Sequence, residues 1–182
     1  MLAQFNLNRF TLMVKQGDKR ENIVFLSVGT NLGDRFLNIS AVEKNLQELS
    51  VRPILMSSIY ESEPWGNDNL EPFLNCVIRL VTLLEPLELL QRTQQIEIEI
   101  GRGTKSKGGS YKNRIIDLDL LTFNQLTFNS TDLTIPHPFI TERNFVLHPF
   151  AEIAPCYKLP YSKFTIAEEI EKCVDELKCS AL

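Results

Sequence analysis

The alternation of apolar and polar positions predicts four strands between residues 23 and 123. The run Ile23–Val28 is short, apolar and partly β-branched, and it ends at Gly29, which is typical of a buried strand. A proline-rich and glycine-containing stretch, Glu63–Pro72, has the composition of a loop. The predicted strands are Ile23–Val28, Ile54–Ser62, Phe73–Leu84 and Ile115–Phe123.

Two amphipathic helices separate these strands. The first follows Asp34, a residue suited to an N-cap, and its predicted apolar positions are Leu37, Ala41, Val42, Leu46 and Leu49. The second begins at Pro86, whose missing amide hydrogen suits a first helical turn, and it ends at Gly101. Its apolar stripe consists of Leu89, Thr93, Ile96 and Ile100.

The last third of the chain predicts two smaller features. Leu126–Phe128 is expected to return as the second arm of a hairpin. Thr165 and Glu168 have the spacing of a capping box and therefore predict the start of a C-terminal helix. The apolar face predicted for that helix consists of Ile166, Ile170, Val174 and Leu177.

The order of these elements predicts the fold class. Strand, helix, strand, strand, helix, strand is the order of the ferredoxin-like unit. We therefore expect an α+β protein in which an antiparallel sheet carries helices on one face, followed by the C-terminal helix.

Composition narrows the class of protein. The chain has 182 residues, of which 43% are hydrophobic and 23% charged, and these values argue against a collagen or a disordered tail. A chain of this length can bury roughly 70% of its surface, so one domain is enough to explain it. We predict a single domain over residues 22–182. Residues 1–21 are expected to form an N-terminal extension, and a disordered arm is one reading of it.

The sequence also bears on location. The most apolar run, Val77–Leu84, is interrupted by Arg79 and is too short to cross a bilayer. The four cysteines, at 76, 156, 173 and 179, form no Cys-x-x-Cys pair and have no zinc-ligand spacing to a histidine. A reduced cytoplasmic protein is the simplest interpretation.

Asp117 and Asp119 are the most informative residues. Residues two apart in a strand share a face, so both carboxylates are expected on one side, roughly 7 Å apart at their backbone origins. Two negative charges on an otherwise apolar strand repel each other and lose hydration, a cost that a divalent cation offsets. Hard carboxylate oxygens favour Mg²⁺. The alternative is an exposed edge strand with two solvated aspartates.

A basic segment, residues 102–114, precedes these carboxylates. It contains three of the eight glycines and no acidic residue, and its basic residues are Arg102, Lys105, Lys107, Lys112 and Arg114. In a chain whose formal net charge is −4, five positive charges beside a magnesium site suit a polyphosphate such as a nucleotide. The alternative is an ordinary solvated surface loop.

Other nucleotide-binding and catalytic motifs are missing from the sequence. The turn Gly29–Asp34 lacks the lysine and the length of a Walker loop, and no Gly-x-Ser-x-Gly elbow occurs. The two histidines and four cysteines suggest no nucleophile with an adjacent base, so covalent catalysis is not expected.

Six stretches of the chain form a recognisable series: FLSVGTNLGDR, SSIYESEPWGN, FLNCVIRL, QQIEIEIGR, NRIIDLDLLTFN and LTIPHPFITERNFVLHPFAEIAP. Together, and in this order, they resemble one known family, the 6-hydroxymethyl-7,8-dihydropterin pyrophosphokinases of folate biosynthesis. The resemblance covers the chain from about Val24 to Pro155. It implies a monomer with a ferredoxin-like core that transfers the β,γ-diphosphate of ATP to the pterin hydroxymethyl group and releases AMP.

The resemblance also implies roles at the nucleotide end of the site. Asp117 and Asp119 match the aspartates that hold two Mg²⁺ ions in the family, and Arg102 and Arg114 match arginines around the triphosphate. We count these four as catalytic. Further positions expected to contact ATP are Glu97, Tyr111, Ile116, His137 and Arg143. For Glu97 a structural salt bridge with a basic-segment residue is the alternative.

At the pterin end, the resemblance implies an aromatic sandwich. Phe73 and Phe145 match the aromatics that enclose the flat ring, and Asn75 matches an amide that hydrogen-bonds the ring edge. Aromatic faces favour a planar heterocycle, and an amide offers both a donor and an acceptor. The loop residues that match the rest of the family's pterin site are Ser62, Pro64 and Trp65.

The chain departs from the family pattern at two places. The basic segment is somewhat longer than the family's short form, and Tyr111 stands where many members have Trp. Residues 1–21 have no counterpart in the family, which leaves a mis-assigned start, a disordered arm and a local addition as alternatives.

Two rival functions remain at this level. One is a nucleotidyltransferase that uses paired aspartates on a ferredoxin-like sheet to transfer AMP, and it would release pyrophosphate. The other is a regulatory module that binds a small molecule without turnover and has no need of the paired aspartates.

Overall fold

The largest structural unit is a six-stranded sheet in which every pairing is antiparallel. The computed structural model describes residues 20–66, 70–101 and 113–182. The strand order is β5-β1-β4-β3-β8, and β2 pairs with β4 beside β3. A separate two-stranded sheet joins β6 to β7. The strands are β1 (Asn22–Thr30), β2 (Leu55–Met56), β3 (Tyr60–Ser62), β4 (Phe73–Thr82), β5 (Asp117–Phe123), β6 (Phe128–Asn129), β7 (Thr134–Ile135) and β8 (Cys179–Ala181).

Helices α1 (Arg35–Leu49) and α2 (Pro86–Ile100) cover one face of the sheet. The Asp34 side chain caps α1 by accepting a hydrogen bond from the backbone N–H of Leu37 at 3.0 Å. Pro86 starts α2, and Gly101 ends it in a left-handed conformation with φ 114°. The predicted βαββαβ order and the ferredoxin-like core are therefore confirmed.

The second face of the sheet is also covered by helices, which the sequence reading did not expect. Helix α3 (Asn144–Ile153) and the short α4 (Ile166–Ile170) pack there. The sheet contributes Phe25, Val77 and Leu121 to this second core. Pro149 lies inside α3. Because proline removes one backbone donor and usually interrupts a helix, the sequence did not indicate a helix here. The expectation of helices on one face is wrong, and two cores enclose the sheet.

The predicted strand Ile54–Ser62 is interrupted at two serines. The backbone N–H of Val77 donates to the hydroxyl of Ser57 at 3.0 Å, so a side chain replaces a main-chain partner. Ser58 turns away, since its N–H donates to Glu152 at 2.8 Å. Two short strands, β2 and β3, therefore pair with β4 in place of one.

The predicted hairpin arm at Leu126–Phe128 is also different. Instead of returning along β5, Phe128 pairs with Ile135 in the small β6–β7 sheet. The turn is closed by the backbone N–H of Ser130, which donates to the carbonyl of Leu133 at 2.9 Å. The local turn therefore determines the pairing.

Two predicted apolar faces need correction. In α1, Leu37 is 65% exposed, and the inward positions are Ile39, Val42 and Leu46. The C-terminal helix has the predicted Thr165 capping box but ends at Ile170, and Val174 is 84% exposed. Five residues beyond the end of this helix, the carboxylate of Asp175 accepts the backbone N–H of Asn144 at 2.9 Å, a contact that a helix continued through residue 177 was not expected to make.

The predicted extension at residues 1–21 falls almost wholly outside the described residues, which start at Arg20. In the described part of the chain, no helix is both long and apolar enough to span a membrane.

Candidate active site

The strand register brings the predicted aspartates and asparagine into adjacent rows of one sheet face. Gly29 on β1 pairs with Asp117 on one side and with Asn75 on the other. In the next row Ser27 pairs with Asp119. Directly paired residues of antiparallel strands share a face. Asp117, Asp119 and Asn75 therefore project from the same face, as predicted for the two carboxylates.

Gly29 keeps the space between these side chains open. A Cβ atom at this position would lie 3.2 Å from Asn75 Oδ1 and 3.9 Å from a ring carbon of Phe73. The first of these distances is tighter than an ordinary contact. The absence of a side chain at residue 29 therefore gives a ligand access to the sheet between the carboxylate pair and Asn75.

Arg114 meets the carboxylate pair directly. Its guanidinium forms an ion pair with the Asp117 carboxylate, and the two side chains are 31% and 17% exposed. Arg114 stands three positions before Asp117, the first residue of β5, and therefore lies just before that strand. A metal-bound polyphosphate needs negative groups for the metal and positive groups for the phosphate oxygens. The two carboxylates and the guanidinium of Arg114 offer both within one site.

The turn after β1 holds the backbone around Arg114. Asn31 is 4% exposed, and its Oδ1 accepts the backbone N–H of Arg114 at 2.6 Å while its own N–H donates to the carbonyl of Arg114 at 3.0 Å. Asn38 donates to the carbonyl of Ile115 at 3.0 Å. Neither asparagine is among the residues predicted from the sequence. The position of Asn31 in the turn directly after the first predicted strand is a sequence signal for that residue, but its bonds to Arg114 depend on the pairing of β1 with β5.

Asn31 also joins two loops. Its Nδ2 donates to the backbone carbonyl of Glu71 at 2.9 Å and to Oδ1 of Asn113 at 2.7 Å. Asn113 Oδ1 in turn accepts the N–H of Glu71 at 3.3 Å. The end of the loop that contains Trp65 is thereby tied to the segment that carries Arg114.

Glu97 and Ile116 lie on the opposite side of the strand from the carboxylates. Glu97 of α2 is 2% exposed and accepts the backbone N–H of Leu118 at 2.8 Å. It therefore supports β5 between the two aspartates. The Ile116 side chain is 0% exposed in the first core, so its backbone is the part that can meet a ligand.

His137 is half-buried close to the carboxylate pair. Burial and, to a smaller extent, the positive charge of Arg143 lower the pKa of its imidazole to about 4, although the Asp117 carboxylate acts in the opposite direction. The ring is therefore neutral at pH 7. Its Nδ1 accepts the backbone N–H of Phe139 at 3.3 Å, which leaves the proton on Nε2. The preceding Ile135–Pro136 peptide bond is cis.

Arg143 sits in an aromatic cage. Its guanidinium carbon lies 4.6 Å from the ring centre of Trp65, 4.8 Å from that of Phe139 and 5.6 Å from that of Phe145. These distances are within the range of cation–π attraction. Among the residues that the structure describes, none forms a hydrogen bond with the buried Nε of Arg143. Phe139, which is 39% exposed, was not singled out from the sequence.

The predicted pterin residues of β3 and β4 are adjacent. Ser62 pairs with Phe73, and the Ser62 hydroxyl accepts a hydrogen bond from Asn75 Nδ2 at 2.9 Å. Asn75 is 2% exposed and Ser62 5%, so this hydrogen bond fixes the orientation of a buried carboxamide. Pro64 is buried, whereas Phe73 is only half-buried and keeps part of its ring accessible.

The remaining predicted residues cannot be placed. Arg102 and Tyr111 lie outside the described residues, as do Lys105, Lys107 and Lys112 of the basic segment. Of that segment, Arg114 is the member described above.

The carboxylate pair fits a magnesium ion better than a transition metal. Within the described ranges, no group of three or more His, Cys, Asp and Glu side chains is arranged to hold a metal. Mg²⁺ is commonly bound through one or two protein carboxylates, with water and phosphate oxygens as its other ligands. Asp117 and Asp119 supply that donor set.

An antiparallel α+β sheet with this carboxylate pair and Arg114 at one end of the face that α3 and α4 cover fits the class of phosphotransferases. The sequence model of one family, described as 7,8-dihydro-6-hydroxymethylpterin-pyrophosphokinase (HPPK), matches residues 25–155. The chain belongs to this family, as the sequence resemblance predicted.

Two bacterial relatives support this assignment. The chain is 44% identical over 134 residues to the 2-amino-4-hydroxy-6-hydroxymethyldihydropteridine pyrophosphokinase of Porphyromonas gingivalis, covering 73% of this chain and 91% of that one. It is 42% identical over 133 residues to the protein of the same name from Bacillus subtilis, covering 72% of this chain and 78% of that one.

Solved structures share the fold at lower sequence identity. A crystal structure of HPPK-DHPS in complex with substrates matches 84% of this chain with a TM-score of 0.65 and 18% identity. Plasmodium falciparum HPPK-DHPS, wild type with SDX-DHP, matches 84% with a TM-score of 0.64 and 18% identity. The chain spans only 43% and 44% of those two longer proteins.

Proposed function

We propose that this protein transfers the diphosphate of ATP to the hydroxymethyl group of 6-hydroxymethyl-7,8-dihydropterin, giving AMP and the pterin diphosphate for folate biosynthesis. The observation that carries the proposal is the pairing of Gly29 with Asp117 on one side and Asn75 on the other. This pairing supports the proposal because the residues proposed to handle phosphate and those proposed to bind the ring would then be adjacent on one face. The relatives from P. gingivalis and B. subtilis are named for this reaction.

The phosphate end would hold a Mg²⁺–triphosphate. Asp117 and Asp119 are the residues that would bind Mg²⁺, with two ions expected, and the ions would supply charge neutralisation along the triphosphate. Arg114 is positioned to exchange its present partner, Asp117, for phosphate oxygens when ATP is bound. Arg102, Tyr111 and the backbone of Ile116 are proposed to complete this end.

His137 and Arg143 would contact the same triphosphate from the opposite side of the site. A neutral His137 with its proton on Nε2 donates one hydrogen bond and adds no charge before ATP arrives. Arg143 carries a permanent charge, and its Nε is a buried donor in need of an acceptor. A phosphate oxygen would satisfy that donor.

The pterin end would recognise a flat heterocycle by its faces and one edge. Phe73 and Phe145 would enclose the ring, and Trp65 and Pro64 would border it. Because Asn75 Nδ2 is engaged by Ser62, the carboxamide directs Oδ1 toward the space above Gly29. Oδ1 is then an acceptor for the N–H donors on the pyrimidine edge of the pterin.

The reaction that follows is a displacement at the β-phosphorus of ATP. The hydroxymethyl oxygen of the pterin attacks this phosphorus, the bond to the oxygen bridging the α- and β-phosphates breaks, and AMP leaves. The hydroxyl proton is released to solvent or a phosphate oxygen. Arg114 and His137 would stabilise the charge that moves onto the departing AMP.

One product analysis tests this function. The purified protein is incubated with ATP, Mg²⁺ and the reduced hydroxymethylpterin, and AMP and pterin diphosphate are expected in equal amounts. Pyrophosphate in place of AMP would indicate nucleotidyl transfer. Pterin binding without turnover would indicate a binding module. The Asp119→Asn variant, purified identically, controls for contaminating enzymes.

The setting proposed for this reaction is the cytoplasm, with the chain acting as a monomer on ATP and the pterin. The four cysteines, all unpaired, agree with a reducing compartment.

A further inference from the structure

The C-terminal residues 171–182, which we term the C-terminal strap, contact both candidate walls of the pterin site. The strap lies beyond residue 155, where the match to the family ends. It starts after α4 and runs through Asp175 and Lys178 to the edge strand β8.

The first wall is the strand β3 together with the loop that follows it. Strand β8 pairs with β3, so that Cys179 lies opposite Ser62. One residue further on, the backbone N–H of Glu63 donates to the carbonyl of Lys178 at 3.1 Å. The N–H of Lys178 donates back to Oε2 of Glu63, also at 3.1 Å. Glu63 stands between Ser62 and Pro64, and the strap thus fixes the backbone from which both project.

The second wall is the start of α3. The carboxylate of Asp175 accepts the backbone N–H of Asn144 at 2.9 Å, and the Asn144 side chain donates to the carbonyl of Asp175. The first N–H groups of a helix have no partner within the helix, so Asp175 acts as a remote cap. Asn144 stands between Arg143 and Phe145. In each wall, the strap therefore binds the residue that stands between two proposed site residues.

One carboxylate makes the strap rigid between its two attachments. Oδ1 of Asp175 accepts the backbone N–H of Leu177 at 3.1 Å, while Oδ2 is the atom that caps α3. The turn that this bond closes leads directly to Lys178. The distance between the two attachments is therefore short and fixed by Asp175 itself.

We propose that the C-terminal strap positions the Ser62–Pro64 wall and the Arg143–Phe145 wall relative to each other and so sets the affinity for the pterin. This role rests on the proposed function, because it assigns the walls to the pterin. A planar ring enclosed between aromatic faces loses contact over its whole area when one wall shifts. Asp117, Asp119 and Arg114 of the triphosphate end are positioned by β1 and β5. Arg143 is the proposed ATP contact beside the strap, and its guanidinium lies over the rings of Trp65, Phe139 and Phe145, so we expect the strap to affect ATP binding less than pterin binding.

The test compares pterin and ATP binding in the full-length Asp175→Ala variant. Pterin affinity is measured in the presence of Mg²⁺ and a non-hydrolysable ATP analogue, and the KM values for both substrates are measured by AMP release. We expect pterin affinity to fall about three- to tenfold, the effect of losing one helix cap, and the KM for ATP to stay within about twofold. The Asp175→Asn variant keeps one acceptor oxygen and should recover part of the loss.

Glu176→Ala, at the exposed neighbouring position, is the matched control and should bind pterin like the unaltered protein. If Asp175→Ala does not fold, truncation after Leu177 removes β8 and both Lys178 bonds and tests the other attachment. Pterin affinity within twofold of the unaltered protein, or an equal loss for ATP and pterin, would overturn the proposal.

Failure of the function itself has a different signature. In that case the unaltered protein makes no pterin diphosphate and binds no pterin. Amide hydrogen exchange then still measures the strap, since Asp175→Ala should speed exchange at residues 143–147. Unchanged exchange there would overturn the positioning role independently of any reaction.

Discussion

The side-chain Oδ1 of Asn31 accepts the backbone N–H of Arg114 at 2.6 Å, across 83 positions of sequence. The backbone N–H of Asn31 closes the second bond, to the carbonyl of Arg114. Asn31 thus holds the peptide of Arg114 at two points, and the direction in which the guanidinium leaves the backbone follows from that hold. That guanidinium forms the ion pair with Asp117.

We therefore predict that Asn31→Ala acts on the reaction through Arg114. The substitution leaves the buried N–H of Arg114 without its acceptor, and kcat should fall about tenfold, the equivalent of one lost hydrogen bond of ordinary strength. In an Arg114→Ala background the same substitution should change kcat less than about twofold, because coupled residues are not additive.

The control for this double-mutant comparison of Asn31 and Arg114 is Asn45→Ala. Asn45 lies on α1 and donates to the carbonyl of Ala41 within its own helix. It should leave kcat unchanged. Additive losses for Asn31→Ala and Arg114→Ala would show that Asn31 does not work through the arginine.

The isosteric variants Asp117→Asn and Asp119→Asn test the metal role. Each removes one anionic ligand while keeping the shape of the side chain, so Mg²⁺-dependent turnover should fall at least about a hundredfold. Any change in the thermal midpoint should be small beside the loss of turnover, because relief of the repulsion between the two carboxylates opposes, in Asp117→Asn, the loss of the ion pair with Arg114. Measured AMP release close to that of the unaltered protein in both variants would remove the metal role.

Much of the sheet and of the carboxylate pair could be predicted because the determining signals are local. A period of two places Asp117 and Asp119 on one face in any strand, whatever its neighbours. Pro86 and Gly101 mark the ends of α2 in the sequence. The resemblance then added His137, Arg143 and the ring-binding residues, which no spacing rule would have joined.

What could not be predicted depends on contacts between distant segments. Nothing near Asp175 in the sequence indicates that it caps α3, 31 residues away. The Asn31 clamp likewise requires β1 and the residues before β5 to be neighbours in the sheet. Ser57 breaks the predicted second strand through a hydrogen bond to Val77 on another strand.

Gly29→Ala tests the space between the two ends of the site. The added methyl group would approach Asn75 Oδ1 to 3.2 Å, where we propose that the pterin edge binds. The KM for the pterin should rise about tenfold, because a crowded methyl group costs on the order of 1–3 kcal/mol.

Gly33→Ala is the matched control. Gly33 lies in the turn after β1 with φ 69°, and a Cβ atom there would have no atom within 4 Å. That variant should lose about 1 kcal/mol of stability from backbone strain and keep its pterin KM. Equal KM changes in the two variants would mean that Gly29 matters for the backbone alone.

His137 makes stability depend on pH in a defined window. Burial, aided by the charge of Arg143, lowers its pKa to about 4 in the folded protein, against 6.5 in an unfolded chain. Between these values the unfolded state binds more protons, so the free energy of unfolding falls as the pH drops from about 6.5 to about 4. The loss from this one group is at most about 3 kcal/mol and is complete below pH 4. Urea denaturation at several pH values measures this free energy of unfolding. Its change with pH between about 4 and 6.5 should be smaller for His137→Asn than for the unaltered protein. Identical changes in the two proteins would mean that the imidazole is as easily protonated in the folded protein as in the unfolded chain, and that its neutrality at the phosphate end needs another explanation.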